Sequence, residues 1–182
     1  VLTQPTEFFS TEDRRDGFGY SLKFALVNLI ISGVLGSMSI LAFGAATAIY
    51  GEAASGIGMG VLAAITLIAT PVLGLIGLLI TSGIIHIFVH LLGGENGYSE
   101  TLSAMEYATA VQPITSLLSF IPLLGSLLNL FIGLYALFLQ SKGIENFQGL
   151  SFGKALGAVL LPVVILIALS IFLVAIVFAG AL

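Results

Sequence analysis

Charged side chains divide this chain into long apolar runs. No Asp, Glu, Lys or Arg occurs from Phe24 to Gly51, from Ala53 to Gly94, from Tyr107 to Ser141, or from Ala155 to the C-terminus. A helix needs roughly 20 apolar residues to cross the hydrocarbon core of a bilayer, and each run exceeds that. Lipid is therefore the solvent of this chain, and helices, which satisfy their own backbone groups, are the elements it predicts. A signal peptide is not expected, because a polar stretch with Glu, Asp and Arg precedes a first run too long for one.

The run from Tyr107 to Ser141 is too long for a single span. Pro122 removes a backbone donor and disfavours helical geometry at Phe120 and Ile121, which predicts a tight hairpin with Pro122 opening a new helix. Ser99 as N-cap, followed by Glu100 at the positive helix end, starts the helix before it. Five spans follow, at about 24–50, 59–92, 100–119, 122–141 and 154–180. Five spans place Arg14, Arg15, Lys23, Lys142 and Lys154 on one side, which the positive-inside rule makes the cytoplasm, whereas four would divide them. The expected fold is an all-α polytopic transmembrane bundle with a cytoplasmic N-terminus and an external C-terminus. Residues 1–23 are expected as a cytoplasmic or interfacial lead-in and 24–182 as the five-helix domain. The connections Gly93–Ser99 and Lys142–Gly153 then face the cytoplasm.

Small residues mark where spans can approach closely, since lipid supplies no hydrophobic drive between helices. Gly33, Gly36, Ser37, Gly44 and Ala48 recur along the first span, and Gly74, Gly77 and Gly83 along the second. Packing within the chain is the first expectation and a homo-oligomer face the alternative. Gly56 and Gly60 fit the same spacing beside a loop. The pair Pro71-Val72-Leu73-Gly74 and Pro122-Leu123-Leu124-Gly125, with Glu95-Asn96 and Glu145-Asn146 beyond, suggests that the second and third helices duplicate the fourth and fifth.

Composition narrows the function classes. Charged residues are 8% of the chain, hydrophobic ones 58%, and the mean hydropathy is +1.18, outside the range of a soluble domain. A net charge of −4 with no basic stripe excludes nucleic acid as a partner. Cysteine is absent, so disulfides and thiolate metal sites are excluded. No serine stands in a nucleophile-elbow pattern and Gly93-Gly94 lacks the Lys of a phosphate loop, which argues against an enzyme. No cofactor is expected.

His86 and His90, four apart, share a helix face and are the candidate metal ligands, with Glu95, Glu100 and Glu106 nearby in sequence. None of these carboxylates stands at a known metal-motif spacing, so imidazoles bonded to water, headgroups or the adjacent loop are the preferred reading. Glu106, over a turn inside the third span, is expected to have His86, His90 or Lys154 as partner. Gln112, Thr115, Ser116, Asn129 and Gln140 are expected to bond between helices, and Pro113 and Pro162 are candidate sites of helix interruption. Pro5, Phe8, Phe9, Phe18 and Tyr20, mixed with Glu7, Glu12, Asp13, Arg14 and Arg15, fit an interfacial helix with aromatic residues at the headgroup boundary.

The run Leu91-Leu92-Gly93-Gly94, with Gly97-Tyr98, Thr101-Leu102, Tyr107-Ala108 and Pro113, resembles the central motif of the Yip family, the Ypt/Rab-interacting membrane proteins. Pro122, Gly125, Gly143, Ser151, Lys154, Ala155 and Pro162 continue the resemblance, and Pro5 with Phe8-Phe9 is similar to the start of short prokaryotic members. The resemblance implies five spans, a cytoplasmic N-terminus and a non-enzymatic role in membrane organisation and trafficking, exercised in eukaryotes through Rab-type GTPases. The short lead-in before the first span argues against GTPase binding and for a prokaryotic plasma membrane. The expected function is a scaffold that binds protein partners through its cytoplasmic loops, with Gly93, Gly94, Gly97, Tyr98, Glu106, Gln112, Pro113 and Lys154 as its functional residues. The rivals are a small transporter or channel with a polar path at Glu106, His86, His90 and Gln112, and a metal-dependent membrane enzyme at His86 and His90.

Overall fold

The computed structural model describes residues 1–11, 17–49 and 56–180, and the elements it describes are all helical. They are α1 (Pro5–Thr11), α2 (Gly17–Ile49), α3 (Gly56–Leu91), α4 (Tyr98–Ala108), α5 (Gln112–Leu118), α6 (Pro122–Gln148) and α7 (Phe152–Gly180), with a 3-10 turn at Thr109–Val111. Glu12, Asp13, Arg14, Arg15 and Glu52 lie outside the described residues, and Phe18, Gly44, Ala48 and Gly56 are described by their backbone alone.

Among the described residues four helices, not five, are long and apolar enough to cross a membrane: Gly19–Phe43, Gly58–Leu91, Leu123–Gln148 and Phe152–Val174. The third predicted span, 100–119, is instead broken into α4, the 3-10 turn and α5. Two features of its sequence explain the break. Pro113 lies in the first turn of α5, where its missing N–H does no harm, so the chain must re-enter the helix just before it. Upstream, α4 carries Glu100, Glu106 and several hydroxyls and buries Thr101, Leu102 and Ala104–Ala108 inside the protein. The hairpin itself stands as expected, with α6 opening at Pro122 and Ile121 donating its N–H to Leu118 O. A methyl on Gly125 would overlap the Leu118 carbonyl, so the turn closes only on glycine.

The α2–α3 pair packs through its small residues. A methyl on Gly33 would lie 3.1 Å from Leu67 O, one on Gly36 3.4 Å from Thr66 Cγ2, and one on Gly74 2.8 Å from Leu29 Cδ2. Such close approach replaces the missing hydrophobic drive by dispersion contact. Gly77 meets nothing and Gly83 only the edge of Tyr98, so the contact follows part of the glycine pattern. Pro71 lies inside α3 and Pro122 opens α6, so the two Pro-x-x-Gly segments occupy unlike places and the suggested duplication fails.

The buried core gathers at one end of the bundle. Ile85 and Val89 of α3, Met105, Tyr107 and Ala108 of α4, Leu139, Ile144 and Phe147 of α6 and Ala155, Ala158 and Val159 of α7 form one cluster. Phe9 of α1 enters it, 2% exposed, edge-on to Tyr107 and Phe147, and Phe8 packs edge-on to Tyr107. These two rings therefore turn into the protein. Toward the other end α7 is exposed all round, as a lipid-facing helix is, from Val163 to Val174.

Candidate functional site

The glycine pair ends α3 by a specific mechanism. Gly93 takes φ +95°, its N–H bonds His90 O at 3.1 Å, and the Gly94 N–H bonds Val89 O at 2.9 Å. This is the paired capping pattern that satisfies two orphan helix carbonyls, and its left-handed position favours glycine. Gly94 is required for a different reason, closeness: a methyl there would lie 2.5 Å from Val89 Cγ1 and 3.1 Å from Gln148 Oε1. Beside this turn, Lys154 Nζ of α7 stands 3.7 Å from where a Gly93 side chain would begin.

The turn is latched to α6 by Gln148, which is 1% exposed. Its Nε2 donates to Gly97 O at 3.0 Å and to Thr101 Oγ1 at 2.8 Å, while its Oε1 accepts the Asn96 N–H at 3.1 Å. Asn96 Nδ2 in turn donates to Phe147 O. Thr101, wholly buried, also lies 2.9 Å from His86 Nδ1. The Thr101 hydroxyl thus accepts from Gln148 and is shared with His86 Nδ1, tying the imidazole to the same network. Tyr98 completes the latch by donating to Leu79 O at 2.8 Å, with Ser82 Oγ 2.9 Å away. One hydrogen-bonded network thus joins α3, α4 and α6. The predicted loop Lys142–Gly153 is mostly helix, since α6 continues to Gln148 and ends at Gly149 with φ +65°. Lys142 spends its charge locally, 2.7 Å from Glu145 Oε2.

The residues of the rival polar path turn to different neighbours. His86 turns to Thr101 and Tyr98, its ring 5.9 Å from that of His90, and Glu106 receives no ionic partner. Glu106 is wholly buried, no ion pair or well-formed hydrogen bond reaches its carboxyl oxygens among the described residues, and the Ser21 hydroxyl is the polar group beside it. On α4, outside the four long spans, burial pushes its pKa up from 4.5 to about 7, opposed by the neighbouring Ser21 hydroxyl. Among the described residues no three His, Asp or Glu side chains could hold a metal ion. Gln112 and Pro113 lie at the helix break, away from the latch, and Gln112 is exposed.

Gln148 and Ser21, whose Oγ lies 3.0 Å from Ser103 Oγ, carry no sequence signal that sets them apart, and Thr101 enters only through the motif resemblance. Glutamine in a terminal helical turn carries no signal of its own; only its partners across more than forty residues give it meaning. No curated protein and no solved structure matches the chain. A family model does, over residues 1–175, and the chain accordingly belongs to the Yip1 domain family.

Proposed function

We propose that this Yip1-domain protein is a non-enzymatic organiser of membrane, which presents a rigid platform to protein partners at the end where the α3–α4 and α6–α7 turns meet. One observation carries the reading: a buried glutamine locks these turns together, so that the side chains above it hold one geometry. Glu95, Ser99, Ser151 and Lys154 are exposed there, and Tyr98 is 37% exposed. Preorganised loops lose less freedom on binding than mobile ones. Lys154 stands beside the Gly93 turn, and Ser21 and Gly143, close in sequence to Lys23 and Lys142, touch Ser103 and Ala104 of α4. The three lysines therefore gather at this end although the segment between α3 and α6 is not one long span, which supports a cytoplasmic orientation for it. The similarity of Pro5 and Phe8-Phe9 to short prokaryotic members supports a bacterial or archaeal plasma membrane as its home.

The test places a photocrosslinking residue at Glu95 or Lys154 in native membranes, with a lipid-facing position such as Leu166 as control. A discrete adduct at the platform positions, absent from the control and lost in a Gly94→Val variant that still inserts, is the expected result. Adducts identical at all three positions would remove the platform reading.

A further inference from the structure

The middle of the bundle contains hydrogen-bonding capacity that the protein itself does not use. Two cavities, of about 630 and about 470 Å³, meet at Thr66, Thr70 and Gln112. Each is of the size that small-molecule sites occupy. They are lined by α2, α3, α5 and α6, with Met105 of α4 and Thr109 of the 3-10 turn in the first, and hydroxyl and amide side chains predominate in the second. No Asp, Glu, Lys, Arg or His lines either one. Within the described residues, the side chains of Thr66, Thr70, Gln112 and Gln140 make no hydrogen bond to the protein. Asn129 Oδ1, at the far end, is buried without a partner. The rim is apolar and open: Ile65 is 56% and Leu73 63% exposed.

These facts conflict with a hydrocarbon surrounding unless something polar fills the groove, because an unsatisfied amide or hydroxyl in lipid costs several kcal/mol. Thr66 and Thr70 lie in the N-terminal half of α3, inside the apolar span Gly58–Leu91, so the groove faces lipid tails beneath the headgroups. An anionic or cationic occupant would find no counter-charge. An opening onto lipid suits a molecule with an uncharged, hydroxyl-bearing head and apolar tails. We propose that this groove is a binding site for a neutral hydroxyl-bearing lipid of the diacylglycerol class, whose glycerol hydroxyl bonds at Thr66, Thr70 and Gln112 while its acyl chains leave past Ile65 and Leu73. The site is separate from the α3–α4 platform and does not depend on its role.

The full chain in phosphatidylcholine nanodiscs would be labelled with a diacylglycerol carrying a diazirine near its glycerol, and the adducts mapped by mass spectrometry. Adducts are expected on α3 and α5 around Thr70 and Gln112, competed by unlabelled diacylglycerol but not by free glycerol or phosphatidate. Thr70→Val with Gln112→Leu should reduce them about tenfold. Gly77→Leu, at a lining glycine whose side chain would meet nothing within 4 Å, should also reduce them while leaving the helices intact. Labelling confined to outward apolar residues such as Leu134, equal competition by glycerol or phosphatidate, or adducts unchanged in both variants would overturn the proposal. A groove holding water alone gives the first of these outcomes.

Discussion

Thr101→Val tests whether the α3–α4–α6 latch works as one unit. The substitution preserves volume and removes a hydroxyl that bonds Gln148 Nε2 at 2.8 Å and His86 Nδ1 at 2.9 Å, at a residue with no exposed surface. A net hydrogen bond is worth about 1 kcal/mol, so the loss should be about 2 kcal/mol. Gln148→Leu removes three bonds, but those to Asn96 and Gly97 lie at half-buried and exposed positions where water can substitute, so it too should cost about 2 kcal/mol. The Thr101–Gln148 bond is shared by the two changes. The double variant should therefore lose about 3 kcal/mol, a coupling of about 1 kcal/mol. Reversible unfolding in mixed micelles, followed by circular dichroism, measures all four stabilities. Additivity to within about 0.3 kcal/mol would mean that the two side chains act independently and would refute the latch.

Glu106 makes stability depend on pH. Its carboxyl titrates near 4.5 when unfolded and near 7 when buried, so the folded chain binds the extra proton between those values and stability should fall as pH rises through that window, by at most about 3 kcal/mol. Glu106→Gln should flatten the profile and be the more stable form at pH 8, which thermal denaturation at stepped pH would check. Gly33→Ala should destabilise by about 1–3 kcal/mol, since its methyl meets the Leu67 carbonyl and Thr70, whereas Gly83→Ala should be near neutral; the same micelle titration compares them. Phe9→Ala should cost about 3 kcal/mol by emptying its place against Tyr107 and Phe147, and limited proteolysis should then cut the chain near α1 faster.

The membrane class and most of the helices were legible because charge exclusion is local: a window without Asp, Glu, Lys or Arg declares itself whatever surrounds it. The turn at Pro122 and the close approach of Gly33 and Gly36 were legible for a similar reason, each being a property of one residue's geometry. The interior of the third segment was not. Its apolar run and Pro122 suggested a full span, yet Pro113 and the polar content of α4 divide it. An average over a window cannot tell a helix that faces lipid from one enclosed by other helices. The partners assigned to Glu106 failed likewise, because nearness in sequence to histidines says nothing about which face of α4 each one meets.

By itself, the sequence determined the solvent, the helical class, where glycine lets the backbone turn or touch, and that the chain holds no thiol. Those follow from residue type and spacing along one strand of chain. Only the tertiary structure decided that Gln148 binds the α3–α4 turn, that Glu106 is buried without a counter-charge, and that unpaired hydroxyls and amides collect in one groove. Each is a relation between residues distant in sequence, and its energy exists only when packing removes water and brings them within bonding distance.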